Sequence, residues 1–236
     1  MRMMRDIGAA LLCLGLSYGA HADTDWAQGQ NYFLIQPPQA PGVAAGKVEV
    51  TEVFSYACPA CNSFYPYMDR LKAGLPPNAE LDFVAAGFRP DEDWTVFQRA
   101  YYAAQVLGID KRTHDAMFDA VWKTGELAVL DPRTQRLRVP LPGLQDMAKF
   151  YERTAGVKAA TFIATANSFS VDTRVRQADQ LVKDYRVQGT PTVVVNGKYR
   201  LDVQSAGGPD QVIELVKWLV AKESPAGATA PRPGAH

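Results

Sequence analysis

The chain is poor in the side chains from which metal sites are built. It has three cysteines and three histidines among its 236 residues, and its one C-x-x-C motif is formed by Cys58 and Cys61. A structural zinc site needs four ligands, usually from a second such motif or from a pair of histidines. Beyond the first 22 residues there are only His114 and, at the far end of the chain, His236. Zinc is therefore a weak explanation of the cysteine motif.

The chain also lacks an excess of charge. Its 25 basic and 25 acidic residues give a formal net charge of zero, and there is no long run of either sign. A nucleic-acid-binding surface is therefore not expected. The content of 47% hydrophobic and 21% charged residues is ordinary for a globular protein.

The apolar run at the N-terminus is about half as long as the roughly 20 residues that a membrane-spanning helix needs. Arg2 and Arg5 precede it, and Ala20-His21-Ala22 has the small-x-small pattern that signal peptidase accepts. A membrane anchor is the alternative, and the short run disfavours it. We predict that residues 1–22 are a cleaved signal peptide and that the protein is exported.

Export changes the number of cysteines that matter. Cys13 leaves with the signal peptide, and its use as a lipoprotein anchor is disfavoured because Leu12 stands where a small residue is expected. The mature chain then keeps one pair, Cys58 and Cys61, in an oxidising compartment.

Residue patterns predict a β-sheet with helices. KVEVTEVFSY (47–56) has the content of a strand buried on both faces, and AELDFVAAGF (79–88) is interpreted as a second core strand. TPTVVVNGKYRL (190–201) contains two β runs joined by Asn196-Gly197, a strong hairpin signal. NYFLIQ (31–36) is interpreted as a short edge strand.

Helical periodicity covers most of the remaining chain. A helix follows Cys58, about five helices are predicted between residues 90 and 187, and an amphipathic helix is predicted at 207–224. We predict one domain over 23–223 with a helical insertion at about 90–187. A disordered tail rich in Pro, Ala and Gly is predicted at 224–236.

The cysteine motif lies where a strand is followed by a helix. If that helix begins at Pro59, Cys58 faces the unpaired amides of Ala60 and Cys61. These amides and the helix dipole favour a negative charge, so we predict an exposed Cys58 thiolate and a buried Cys61 thiol. Thiol–disulfide exchange uses this asymmetry. A purely structural disulfide is disfavoured because so small a loop removes little unfolded-state entropy.

Three other positions have two interpretations each. Thr190-Pro191 precedes a β run, where a cis peptide bond and a proline that merely starts an edge strand are both plausible. Glu52, on an otherwise apolar strand face, is either a buried proton-relaying carboxylate or a charge that reaches water. His114 is interpreted as a surface residue or a satisfied polar contact, and not as a catalytic group.

Together these features resemble the periplasmic thiol:disulfide oxidoreductases of the DsbA family, in the thioredoxin superfamily. The resemblance covers roughly residues 30–222 and rests on EVFSYACPAC (52–61), GTPTVVVNGKYRL (189–201) and the long helical block between them. It implies an α/β thioredoxin fold, a central mixed β-sheet flanked by helices, with an inserted all-helical subdomain.

The resemblance also implies catalytic roles. Cys58 corresponds to the nucleophilic cysteine that links to substrate, and Cys61 to the resolving cysteine. Pro191 corresponds to the cis-proline that faces the disulfide, and Glu52 to the buried acid beneath it. The redox-active Cys58–Cys61 disulfide is then the reactive group, and no further cofactor or metal is expected.

Substrate binding is expected at Thr190, Pro59 and Ala60. Typical members have Pro-His between the cysteines, whereas this chain has Pro59-Ala60, which implies a less acidic Cys58 and a weaker oxidant. Nearby aromatic residues are candidates for a peptide-binding groove, although core packing explains them equally well: Phe54, Tyr56, Phe64 and Phe88.

The resemblance implies that the protein donates its disulfide to reduced, unfolded exported proteins. A membrane quinone-linked reoxidant of the DsbB type is implied as its partner. A disulfide isomerase or reductase is an alternative, but the roughly two dozen residues between Ala22 and Lys47 leave no room for the dimerisation domain of related isomerases, so a monomer is expected. A redox-independent chaperone is the remaining alternative.

Overall fold

The computed structural model describes residues 26–224 of the chain. The predicted signal peptide and, except for Ser224, the predicted tail lie outside the described residues. Within residues 26–224, no helix combines the length and the apolar character needed to cross a membrane. In this part of the chain five strands form one sheet: β1 (Phe33–Leu34), β2 (Val48–Phe54), β3 (Ala79–Ala85), β4 (Thr192–Val195) and β5 (Tyr199–Leu201).

The strands lie in the order β1-β5-β4-β2-β3. β2 pairs in parallel with β3 and antiparallel with β4, and the remaining pairs are antiparallel. All seven residues of β2 are buried, as its nearly continuous apolar run predicts. The interpretation of β3 as a core strand is wrong: it lies at the edge of the sheet with Glu80 and Asp82 exposed. The chain continues from β3 into helices, and no later strand within residues 26–224 pairs with its outer side.

Eight helices complete the described chain: α1 (Pro59–Gly74), α2 (Trp94–Val106), α3 (Asp110–Trp122), α4 (Leu144–Ala155), α5 (Ala159–Ala166), α6 (Phe169–Asp184), α7 (Val203–Ala206) and α8 (Pro209–Glu223). Helices α2 to α6 lie between β3 and β4, so the predicted mixed sheet with an all-helical insertion is confirmed. The short α7 has no counterpart in the sequence prediction. Asp202 and Ser205 cap it reciprocally.

Buried side chains form two clusters on the two faces of the sheet. On β4, Val194 belongs to the cluster shared with the helical insertion, whereas Val193 and Val195 belong to the cluster shared with α1 and α8. Cys58 and Cys61 belong to the first cluster. The cysteine motif is therefore packed on the side of the sheet that the insertion covers.

The β4–β5 turn has the predicted hairpin geometry. Asn196 and Gly197 have φ values of 54° and 62°, and the Lys198 amide donates a hydrogen bond to the Val195 carbonyl over 3.0 Å. The carbonyl of Gln39 lies so close to Gly197 that a Cβ atom there would overlap it. Glycine is therefore required both by the backbone conformation and by the approach of the N-terminal segment.

We predict that Gly197→Ala lowers the free energy of unfolding by about 3 kcal/mol, because it combines the strain of a positive φ with a backbone clash. Gly108→Ala is the matched control: Gly108 has φ +66°, but no atom lies within 4 Å of the place that a Cβ would occupy, so this variant should lose only about 1 kcal/mol. Urea denaturation measures both. Equal losses would contradict the role given to the Gln39 contact.

Candidate active site

The turn between β2 and α1 carries the cysteine motif. Cys58 is the N-cap of α1, with φ −82° and ψ 118°, and Pro59 is the first helical residue. Proline suits this position because its missing N–H has no helical partner there. The Cys58 amide donates to the Ser55 carbonyl over 3.1 Å and closes the turn. The predicted helix start is confirmed.

Several polar groups converge on the sulfur of Cys58. The Cys61 amide donates to it over 3.4 Å, and the Cys58 thiol in turn donates to the Thr190 carbonyl over 3.4 Å. The pKa of Cys58 is lowered to about 6, mainly by a hydrogen bond with the Cys61 thiol. Burial opposes this shift, whereas Thr190 and the amides of Cys61 and Ala60 add to it. The Thr190 hydroxyl is buried and has no partner among the described residues, so it is available to donate to a Cys58 thiolate.

Cys61 and Glu52 lie deeper than Cys58. Burial raises the pKa of the fully buried Cys61 thiol well above its ordinary value. Glu52 is 4% exposed in the middle of β2, and burial followed by the negative charge of Cys58 raises its pKa to about 8. The interpretation of Glu52 as a buried carboxylate is therefore confirmed, and the alternative of a charge that reaches water is wrong.

Cys58 is less accessible than predicted. Both cysteines are free thiols, and Cys58 is only 5% exposed. The prediction of an exposed thiolate is wrong because the pattern of a helix start does not show that the insertion and its leading segment fold over the turn. Cys58 borders a cavity of about 340 Å³ whose opposite wall is formed by Arg89, Glu92, Trp94, Val129 and Leu130.

The Thr190–Pro191 peptide bond is cis, as predicted. The hydrogen bond between Cys58 and the Thr190 carbonyl places this loop against the cysteine motif. A groove of about 680 Å³ begins at Ala60, Thr190 and Pro191 and continues along α1. The structure therefore brings Pro59, Ala60, Thr190 and Pro191 together around one reactive sulfur.

The groove has a different lining from the one expected. Of the four aromatic candidates, Phe64 lines it, Phe54 and Tyr56 are buried in the core, and Phe88 is 41% exposed. Sequence reasoning missed Tyr67, whose position three residues after Phe64 on α1 was a usable signal. It also missed Arg200, because nothing local shows that β5 borders the groove.

His114 is a satisfied polar contact, and the surface interpretation is wrong. It is 8% exposed, and its Nδ1 lies 2.8 Å from the Tyr56 hydroxyl in a shared hydrogen bond. Burial lowers the pKa of His114 to about 4. The Trp122 indole, which sequence reasoning did not single out, donates to the Tyr56 carbonyl over 2.7 Å.

The described part of the chain contains no group of three or more His, Cys, Asp or Glu side chains placed to hold a metal ion. The ionisable groups that the structure brings together at the site are the two thiols and the carboxylic acid of Glu52.

Comparison with known sequences points to one family. The family model of the DSBA-like thioredoxin domain matches residues 49–214. The thiol:disulfide interchange protein DsbA of Pseudomonas aeruginosa is 33% identical over 215 residues, which cover 91% of this chain and 94% of that protein. The DsbA of Burkholderia cepacia is 34% identical over 227 residues, which cover 94% of this chain and 100% of that protein.

Solved structures agree with this result. The crystal structure of Pseudomonas aeruginosa DsbA matches with a TM-score of 0.71 and 31% identity, and the match covers 87% of this chain and 98% of that one. The DsbA of Xylella fastidiosa matches with a TM-score of 0.71 and 33% identity over 83% of this chain and 96% of that one. The chain has the DsbA-like thioredoxin fold and belongs to the DsbA family of thiol:disulfide oxidoreductases.

Proposed function

We propose that the predicted signal peptide is cleaved after Ala22 and that the mature protein introduces disulfide bonds into newly exported proteins in the periplasm. The observation that carries the proposal is the contrast between its two thiols. The pKa of Cys58 is lowered to about 6, whereas that of Cys61 is raised. A thiol with a low pKa is a good leaving group, so a mixed disulfide between substrate and Cys58 is readily resolved by the substrate's second thiolate, and the reduced pair is stabilised.

The reaction transfers two electrons from substrate to the cysteine pair. A substrate thiolate attacks the Cys58 sulfur of the oxidised pair, the Cys58–Cys61 bond breaks, and Cys61 leaves with the electron pair. The substrate's second thiolate then attacks the substrate sulfur of the mixed disulfide, and Cys58 leaves as a thiolate. The substrate gains a disulfide, and the pair ends as a dithiol without a further cofactor.

Glu52 is proposed to supply the proton that the first step needs. Cys61 leaves as a thiolate in a buried place, where desolvation raises its pKa. With a pKa of about 8, the Glu52 carboxyl is largely protonated at pH 7 and can protonate the departing thiolate. In the reverse direction the same carboxylate accepts the proton.

The loop at Thr190-Pro191 is proposed to bind an extended segment of the substrate beside Cys58. The groove that starts there and at Ala60 has room for neighbouring substrate side chains, and Pro59 borders the cavity on the other side of the sulfur. Reduced, unfolded proteins suit such a site because their chains can adopt the extended conformation.

The dithiol product must be reoxidised before the next turnover. We propose that a membrane quinone-linked protein of the DsbB type does this and that the protein acts as a monomer. Ala60 provides no imidazole to stabilise Cys58, so the stabilisation rests on the Cys61 thiol, Thr190 and the amides of α1.

Cys58→Ser should abolish the oxidative refolding of a reduced test protein that contains disulfides, because no sulfur remains for the substrate to attack. Cys61→Ser should instead accumulate mixed disulfides at Cys58, seen by non-reducing electrophoresis and mass spectrometry. If Cys58→Ser supports refolding as well as the wild type does, the redox proposal is wrong and a chaperone is the better explanation.

Alkylation of the reduced protein with iodoacetamide should show Cys58 reacting with a midpoint near pH 6. Ala60→His should lower this midpoint by about one unit, because a nearby positive charge favours the thiolate, and should make the pair more oxidising in glutathione buffers. Ala60→Gln, which adds a polar side chain without a charge, is the control. An equal shift in both variants would contradict the electrostatic explanation.

Glu52→Gln should stabilise the reduced protein at neutral pH. The pKa of Glu52 is raised from 4.5 to about 8 on folding. Below pH 4.5 the group is protonated in both states and its ionisation has no effect on stability, whereas from pH 4.5 to 8 the destabilisation grows with pH. Urea denaturation should show a gain of about 4 kcal/mol at pH 7.5 and almost none at pH 4.5. Glu214→Gln is the control, because its side chain is 66% exposed, and it should show no pH-dependent gain. If Glu52→Gln gains the same stability at both pH values, the pKa of Glu52 is not raised.

A further inference from the structure

One face of α3 contacts the turn that carries the cysteines. His114, Phe118 and Trp122 follow one another at four-residue steps, which place them on the same side of the helix. The Trp122 indole donates to the Tyr56 carbonyl over 2.7 Å, and the Tyr56 hydroxyl shares a 2.8 Å hydrogen bond with His114. The ring of Phe118 lies 5.1 Å from that of Tyr56. Both the backbone and the side chain of Tyr56 are therefore held by α3.

The same face of α3 also contacts the chain after the cysteines. Tyr65, on α1, has its ring 4.8 Å from Phe118 and 6.1 Å from His114. Tyr56 precedes Cys58 by two residues, and Tyr65 follows Cys61 by four. Helix α3, which belongs to the insertion, thus contacts the chain on both sides of the cysteine motif.

The position of Tyr56 matters because one residue separates it from Cys58. The sulfur of Cys58 accepts a hydrogen bond from the Cys61 amide over 3.4 Å, and the Cys58 thiol donates one to the Thr190 carbonyl over 3.4 Å. Hydrogen bonds weaken steeply when their geometry is disturbed. A small displacement of the turn would therefore weaken the hydrogen bond from the Cys61 amide, which stabilises the thiolate.

We infer that His114 and Trp122 are positioning residues for thiol–disulfide exchange, because they hold Tyr56 and thereby fix Cys58 at the start of α1. This inference rests on the proposed function of Cys58. It gives the helical insertion a part in the reaction beyond covering the site. His114 takes this part through its hydrogen bond to Tyr56, without contacting the reacting sulfur atoms.

Tyr56→Phe and Trp122→Phe test the inference, since each removes one of the two hydrogen bonds and keeps an aromatic ring. Tyr151→Phe is the matched control: Tyr151 is fully buried in the same cluster, and its hydroxyl has no hydrogen-bond partner among the described residues. The reduced proteins are alkylated across a pH series, the Cys58 adduct is quantified by mass spectrometry, and circular dichroism confirms that each variant is folded.

Tyr56→Phe and Trp122→Phe should each raise the alkylation midpoint of Cys58 by about half a pH unit, which slows its alkylation at pH 5 by about threefold. Tyr151→Phe should keep the wild-type midpoint. If Tyr56→Phe does not fold, Trp122→Phe decides, because it leaves the Tyr56–His114 hydrogen bond intact. Unchanged midpoints in the folded variants, or the same shift in all three, would overturn the inference.

The wild-type protein separates this inference from the proposed function. If wild-type Cys58 titrates like an ordinary thiol, the observation that supports the proposed function is lost. If wild-type Cys58 is acidic and Tyr56→Phe and Trp122→Phe match it, only the positioning role fails.

Discussion

The hydrogen bond from the Cys61 amide to the Cys58 sulfur is the interaction on which this site depends. It exists only because β2 ends at Phe54 and α1 begins at Pro59, which leaves Cys58 as the cap of a helix with unpaired amides. The same spacing directs the side chain of Cys61 toward the core. One local turn therefore makes two chemically identical side chains unequal, one stabilised as a thiolate and the other as a thiol.

Burial both supports and limits this asymmetry. It raises the pKa of Cys61 and of Glu52, which keeps a proton available next to the buried thiol. It also opposes ionisation of Cys58, so the hydrogen bonds at Cys58 must outweigh a desolvation cost that a fully exposed cap residue would not have. The residues that bury Cys58 come partly from the helical insertion, whose α3 also holds Tyr56. The insertion therefore affects both the accessibility and the position of the reactive sulfur.

Those features that depend on neighbours in the chain could be predicted from the sequence. The continuous apolar run of β2, the positive φ values at Asn196-Gly197 and the proline that begins α1 are each consequences of local steric and hydrogen-bonding preferences. The spacing of the cysteine motif from that proline then placed Cys58 at the helix start. The cis bond before Pro191 and the burial of Glu52 needed the resemblance to the family, because the local pattern left each of them with two interpretations.

The features that depend on contacts between distant segments were decided only by the tertiary structure. Sequence periodicity shows that β3 is a strand, but it does not show that β3 lacks a partner on one side. It likewise shows that α3 is a helix, but not which residues that helix contacts. The recessed position of Cys58 and the buried hydrogen bond of His114 arise from segments dozens of residues apart. The sequence by itself determined which sulfur can be the reactive one, because helix capping is local. The tertiary structure decided how deeply that sulfur lies and what holds it, because packing against the insertion is not local.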